Sequence, residues 1–400
     1  MMMKRTSLQH LSALLFDGIA SGMMLMALPW SILTQGNNST FLAILTLCCT
    51  ALSFFATPFF ATAIDRFSRK HILALVQLLQ ALAALLVVFT WYIEPNALWP
   101  LAVAQLVFWL TNDLAWGTNG AFTQELYKRS DYAKISGQQE IVLQMTTLTA
   151  GGLGVLLLEL WSIEYFALLA MLLSVSAMIC YASIHYKPKQ RETKHVSFMT
   201  QLSESKAIFS RSPMFFLFVA LSCLSYPMMT YLSKLVPIYF SEQNIEGHWF
   251  AWWQINYGLG AMLCGVIITQ LLIRFRQEQL MIVSVVGLAV LLSVLASSMS
   301  AISLVIFALF IGLFNATNRI ARVNKLHETI DNRVRGRVDG GMKLFSTFVQ
   351  SMSYVLIAYL THYDLTELGF AVAAVVMMLA ALGMLLLYKD KNNTHTLQSY

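Results

Sequence analysis

Apolar runs of about twenty residues follow one another along almost the whole chain, and that recurrence leaves few architectures open. "FLAILTLCCTALSFFATPFFATAI", from Phe41, is one such run, and "MLLSVSAMICYASI" closes another. A helix of about twenty apolar residues crosses a hydrocarbon core ~30 Å thick. Only helices and closed barrels satisfy their own backbone groups there. The 400-residue chain is 58% hydrophobic and 12% charged, with a mean hydropathy of +0.64, whereas soluble domains are about one-quarter charged. The sequence therefore predicts an all-α membrane protein.

Hydropathy, with turn residues as breaks, predicts twelve spans near 8–33, 40–64, 71–93, 97–120, 134–159, 161–184, 213–240, 248–273, 279–297, 300–321, 338–361 and 364–388. The first is a retained span rather than a signal peptide. Asp17 interrupts it after six apolar residues, and the run then continues through "MMLMALPWSIL". Lys and Arg orient the chain. The turns "DRFSRKH", "ELYKRSDYAK", "KPKQRETKH", "RFRQEQ" and "RVNKLHETIDNRVRGR" are basic, whereas "QGNNST", "EPN", "SEQNIEGH" and "THYDLTE" hold no Lys or Arg. Of the 26 basic residues only Lys234 falls outside the inner group, which puts both termini in the cytoplasm. The net charge of +6 then describes a face beside anionic lipid, not a nucleic-acid binder. The localisation expected is a multi-pass protein of a bacterial-type inner membrane.

The longest polar segment divides the chain into a bundle at 1–184, a cytoplasmic linker at 185–212 and a second bundle at 213–400. Part of the linker, "VSFMTQLSESKAIF", can lie as an amphipathic helix on the inner surface. Pro29 in "ALPW" recurs as Pro237 in "LVPI", and Arg66-Phe67 recurs as Arg274-Phe275 at the same offset. Two pseudo-symmetric six-helix bundles are expected, an arrangement that secondary transporters use.

The turn after the second span carries the most specific signal. Ala61, Ala63, Ile64, Asp65, Arg66, Ser68, Arg69 and Lys70 resemble the G-x-L-a-D-r-x-G-r-k loop of the major facilitator superfamily, with small residues in place of both glycines. Within that superfamily, "FTQELYKRSDYAKISG" and "RVRGRVDGGMKLFSTF" are similar to segments of twelve-span exporters of the macrolide-efflux and enterobactin-exporter type. The R-x-x-q-G pattern of drug antiporters stands here as Asp113-Leu-Ala-Trp116-Gly117, and the G-P-x-x-G-G pattern as "AGGLG" from Ala150. The resemblance implies that Asp65, Arg66, Arg69 and Lys70 form a conformational gate whose partners exist in only one state.

Charges within spans are candidates for function, because each costs on the order of 3 kcal/mol or more near the membrane centre. Asp17 and Asp113 are the clearest. Such carboxylates bind protons more readily than exposed acids, and in the resembled fold their two helices line one cavity, so both are expected to carry proton coupling. Gln105, Trp109, Asn112 and Trp116 recur at helical spacing on the fourth span, a face suited to a largely apolar organic solute. Tyr226, Thr230 and Lys234 share a face of the seventh span, and Asn256, Tyr257 and Asn315 complete the expected substrate-binding set. Glu140, near the inner end of its helix, is expected to pair with loop cations. Interhelical packing is the alternative reading for the polar residues.

The five cysteines lie in apolar runs without C-x-x-C spacing, and the eight histidines show no metal-ligand spacing. No metal, cofactor or catalytic residue is expected. The expected partners are a small-molecule substrate, protons and the lipid bilayer, with the protein a monomer. No nucleotide-binding G-x-x-x-x-G-K-[ST] loop is present, so transport must run on ion gradients. The leading expectation is proton-coupled efflux of a drug-like compound or a metabolite such as a siderophore. Its alternatives are proton-coupled import and, in a different class, an integral-membrane enzyme or a sensor.

Overall fold

The computed structural model describes residues 2–34, 39–95, 97–150, 157, 161–185, 207–246, 248–331, 334–363 and 365–397. Most of the expected linker and the 151–154 part of the "AGGLG" stretch lie outside these residues. The described chain is helical: α1 (Met2–Thr34), α2 (Ser39–Arg66), α3 (Arg69–Ile93), α4 (Leu98–Leu126), α5 (Tyr132–Leu148), α6 (Ile163–Ser183), α7 in two segments (Pro213–Cys223 and Ser225–Glu242), α8 (His248–Arg274), α9 (Gln277–Ser297), α10 (Ala301–Thr329), α11 (Arg335–His362) and α12 (Thr366–Leu397). A single 3-10 turn, Arg129–Asp131, leads into α5.

Among the described residues, ten of these helices are long and apolar enough to cross a membrane. The two that fall short are α5, whose described extent is 17 residues, and α4, whose polar Gln105, Thr111 and Thr118 are turned inward and buried. Composition alone understates such a helix, because hydropathy counts residues without knowing which side they face.

Two compact units are formed, Met1–Val196 with Asp331–Gly340, and Ser197–Ile330 with Gly341–Tyr400. The first turns of α11 therefore belong to the first unit and the rest of that helix to the second. Within the first unit α3 packs on α6 and α4, α1 on α6 and α4, and α2 on α4. Within the second the same pattern recurs six helices later: α9 on α12 and α10, α7 on α12 and α10, and α8 on α10. This repeat of pairings is the structural form of the internal symmetry seen at Pro29 and Pro237.

Small residues bring the helices close, as expected where lipid leaves little hydrophobic drive between helices. Ala20, Ala27, Ala83, Ala84, Ala104, Ala167 and Ala170 line the seam of α1, α3, α4 and α6. The α8–α10 crossing is closer still. A Cβ at Gly260 would meet the Leu309 carbonyl oxygen at 1.8 Å, and one at Gly312 would meet that of Tyr257 at 2.1 Å. Backbone contact at this depth sets Tyr257 and Asn315 side by side.

The interruption of α7 at Leu224 has a local cause. Pro227 has no N–H for the carbonyl of Cys223. The preceding carbonyl, that of Ser222, is claimed from outside the helix by Asn318 Nδ2 at 2.9 Å and Arg322 Nη1 at 2.8 Å.

Candidate functional site

In the charged turn between α2 and α3, each of three charged residues contacts a different helix. Asp65 accepts hydrogen bonds from the backbone N–H groups of Gly336 at 2.6 Å and Arg337 at 3.1 Å, capping the first turn of α11. Arg337 Nε lies 3.4 Å from the same carboxylate. Arg69 is fully buried; it donates to the Ala121 carbonyl of α4 at 2.6 Å and pairs with Glu125 at 3.3 Å. Lys70 donates to the Ile184 carbonyl at 2.8 Å, closing the end of α6. The Asp65 and Lys70 contacts match the helix dipole, an anion at an N-terminus and a cation at a C-terminal carbonyl. Arg66 is half-buried at the end of α2.

Gly336 makes the cap possible. A Cβ there would stand 2.5 Å from the Ala61 carbonyl oxygen and 2.7 Å from Asp65 Oδ1, and one at Gly340 would stand 2.7 Å from Ala61 Cβ. The small residues at both ends of the contact, Ala61 on α2 and Gly336 and Gly340 on α11, thus serve one approach.

The two intramembrane carboxylates have different surroundings. Asp17 is buried. It faces Gln77 of α3 and Tyr181 of α6. Its Oδ1 makes no hydrogen bond, nor do Oε1 and Nε2 of Gln77. Asp113, half-buried on α4, accepts a hydrogen bond from the Ser53 hydroxyl of α2. The first acid therefore looks into the α1–α3–α6 interior and the second towards α2.

Towards the end of the unit that carries Lys70, the polar interior continues. The Tyr181 hydroxyl donates to Asn119 Oδ1 at 3.2 Å. Asn119 also faces the ring of His10, whose Nδ1 lies 3.0 Å from the Tyr127 hydroxyl. Burial pushes the Tyr127 phenol up to about 12, so it keeps its proton at neutral pH. His10, Gln77 and Asn119 lie in helices whose apolar pattern gave no reason to single them out.

Of the expected substrate face on α4, Gln105 is buried with its Oε1 unpartnered and Trp109 is half-buried. Asn112 is exposed, and Trp116 is 55% exposed. In the second unit Tyr226 and Lys234 are exposed, and the Thr230 hydroxyl donates to the Pro227 carbonyl at 2.8 Å. Asn256 donates to the Trp252 carbonyl at 3.0 Å. The structure brings Asn315 to the Tyr257 hydroxyl at 2.7 Å and leaves Asn315 Oδ1 unpartnered. Glu140 accepts from Gln144 Nε2 at 2.8 Å on its own helix. A polar group not anticipated from sequence is Asn318 with Ser222, Ser225 and Arg322, a buried cluster at the α7 interruption.

Membrane-spanning helices arranged in two units with repeated pairings, charged residues seated on helix ends and polar groups held inside the spans together define a multi-pass integral membrane protein. The chain belongs to the Major Facilitator Superfamily, whose profile matches residues 11–291. No curated protein sequence matches it. Among solved structures it is similar to a bacterial homologue of the iron transporter ferroportin in an outward-facing state, with a TM-score of 0.78 and 15% identity over 96% of this chain and 99% of the other. The human organic anion transporter MFSD10 matches with a TM-score of 0.72 and 12% identity over 95% and 99% of the two chains. The proton:xylose symporter XylE matches with a TM-score of 0.73 and 13% identity over 95% and 94%. At these identities the likeness is one of fold.

Proposed function

We propose that the protein is a proton-coupled exporter of a small organic molecule, working by alternating access in a bacterial-type cytoplasmic membrane with both termini inside. The observation that carries this reading is the unpartnered pair Asp17 and Gln77. Gln77 carries both an amide N–H donor and a carbonyl acceptor, so it can donate to an ionised Asp17 and accept from a protonated one, and the pair accommodates both protonation states. Uptake and release of that proton change how α1 meets α3, which is the kind of difference a coupling site needs between states. Asp113, hydrogen-bonded to Ser53, is the second carrier in this reading.

The cap made by Asp65 on α11 is a contact of one state, broken when the transporter opens the other way. Arg66, Arg69 and Lys70 belong to the same gate. The aromatic and amide side chains of Gln105, Trp109, Asn112 and Trp116 in the first unit suit a largely apolar solute. In the second unit Tyr226, Thr230, Lys234, Asn256, Tyr257 and Asn315 supply polar contacts. Export is favoured by the two segments that resemble macrolide-efflux and enterobactin exporters. Import by symport is the second reading, since a fucose:proton symporter and a proton:xylose symporter share the fold.

The test is solute movement in inverted and right-side-out vesicles under an imposed proton gradient, with a panel of drug-like compounds and siderophores. Accumulation in acid-loaded inverted vesicles supports exchange. Uptake into right-side-out vesicles driven by an inward gradient supports symport instead, and movement indifferent to the gradient overturns proton coupling.

A further inference from the structure

His10 is buried in the first unit in a setting that packing alone does not explain. Phe122 meets its ring edge-on at 5.4 Å, Tyr127 stacks on it at 5.7 Å and Tyr181 lies at 6.4 Å. An aromatic cage accounts for a histidine in the core, but not for the polar atoms that lead away from it. His10 Nε2 has no hydrogen-bond partner, and the amide of Asn119 faces the ring. Asn119 Oδ1 accepts from the Tyr181 hydroxyl, and Tyr181 in turn stands beside Asp17. On the other side of the ring Nδ1 meets the Tyr127 hydroxyl at 3.0 Å.

Helix geometry puts the two ends of this series in line. His10 and Asp17 are seven residues apart, two turns of α1, which returns them to one face at a separation of about 10 Å. Tyr181 and Asn119 occupy the interval. His10 is also the end nearer the charged turn: its neighbour Gln9 donates to the Ser183 carbonyl at 3.4 Å, and the next carbonyl, that of Ile184, is the one held by Lys70. The titratable groups facing the ring are Tyr127 from the end of α4 and Tyr181 from α6, with Asp17 on its own helix.

We infer that His10 is a proton relay connecting Asp17 with the end of the bundle that carries the Asp65–Lys70 turn. The inference rests on reading Asp17 as the proton site. When the Asp17 O–H bond breaks, its proton travels through water along Asn119 and the Tyr181 hydroxyl and is bound at Nε2 of the neutral ring. The imidazolium then releases its Nδ1 proton to the Tyr127 oxygen as that hydroxyl passes its own proton to water. One proton leaves Asp17 and one reaches water. The ring is then neutral with its one proton on Nε2, and loss of that proton to water with gain of another at Nδ1 restores the starting tautomer.

The experiment follows the C=O stretch of protonated Asp17 by infrared spectroscopy, using the full chain in detergent and a rapid pH jump. Wild type should show a titrating band that Asp17→Asn lacks. His10→Ala should slow the response of that band about tenfold or more while leaving its midpoint in place, and added imidazole should restore the rate. His10→Gln, which keeps a polar group in the cage, should be equally slow without rescue and supplies the rate comparison should the alanine variant fold poorly. Wild-type rates in both variants, with the band present, overturn the relay and leave the reading of Asp17 intact. Slowing in His10→Ala that imidazole does not relieve makes His10 a packing residue and also overturns it. Absence of any band that depends on Asp17 removes the proton site itself, and the relay with it.

Discussion

Asp65 and Gly336 are 271 positions apart, yet a carboxylate oxygen of the first lies 2.6 Å from the backbone nitrogen of the second. The bond joins the end of α2 to the start of α11, a helix whose later turns belong to the second compact unit. Asp65→Asn keeps one acceptor but removes the charge that also faces Arg337. A cap of this kind is worth about 0.5–2 kcal/mol, so the variant should fold and express near normally while its turnover drops several-fold. Initial rates in proteoliposomes equal to wild type would count decisively against a gating role.

Arg69 should behave differently from Asp65. It is fully buried and paired with a buried Glu125 at 3.3 Å, so Arg69→Ala removes a charge partner from an acid inside the bundle. The expected loss is about 3–5 kcal/mol, seen as poor recovery of folded protein and a lowered Tm in detergent. A variant that folds normally and fails only in transport would assign Arg69 to the gate instead of the framework.

Glycine positions separate close helix contact from mere tolerance. Gly260→Ala drives a Cβ against the Leu309 carbonyl at 1.8 Å, and backbone cannot rotate away. The substitution should cost about 1–3 kcal/mol and loosen the Asn315–Tyr257 contact. Gly120→Ala meets nothing nearer than Asp339 Oδ2 at 3.8 Å and should be neutral or stabilising by about 0.5–1 kcal/mol. Thermal unfolding of the two variants in the same detergent checks the contrast.

Lys234 is exposed on α7, near Thr230 and the exposed Tyr226. If it recognises an anionic group, Lys234→Gln should weaken transport of acidic solutes about tenfold more than that of neutral ones, because only the former lose a charge pair. Equal losses for both classes would make it a residue of structure.

Asp17→Asn should be well tolerated, since its amide can donate to Gln77 Oε1 and so satisfy an acceptor left open in the wild type. A Tm equal to or above that of wild type is expected, with a gain of about 1 kcal/mol at most. Substrate-induced proton release from solubilised protein should be lost in Asp17→Asn and reduced in Asp113→Asn. Release of wild-type size in both would rule these carboxylates out and move attention to Glu140.

Hydropathy and charge reach the fold directly because a membrane imposes its own thickness and its own cost for ions on every segment. Twelve runs, their breaks and the bias of Lys and Arg are properties of residues taken in order, and so the helices, the repeat and the family were legible before any contact was known. The charged turn was legible too, but not what it holds. The partners of Asp65 are two backbone N–H groups on a distant helix, Arg69 and Lys70 hold carbonyls, and a backbone group carries no residue-specific mark in a sequence. The interior of the first unit was hidden for a related reason. His10, Gln77 and Asn119 sit in runs whose average is apolar, and only packing decides that they turn towards Asp17 and Tyr181 rather than towards lipid. In the same way Pro227 is visible in the sequence, whereas the opening of α7 depends on Asn318 and Arg322 arriving from α10 to take the carbonyl of Ser222. Solvent preference is additive along a chain and can be read from it. Hydrogen-bond partnership is pairwise between distant segments, and it exists only once the helices are placed.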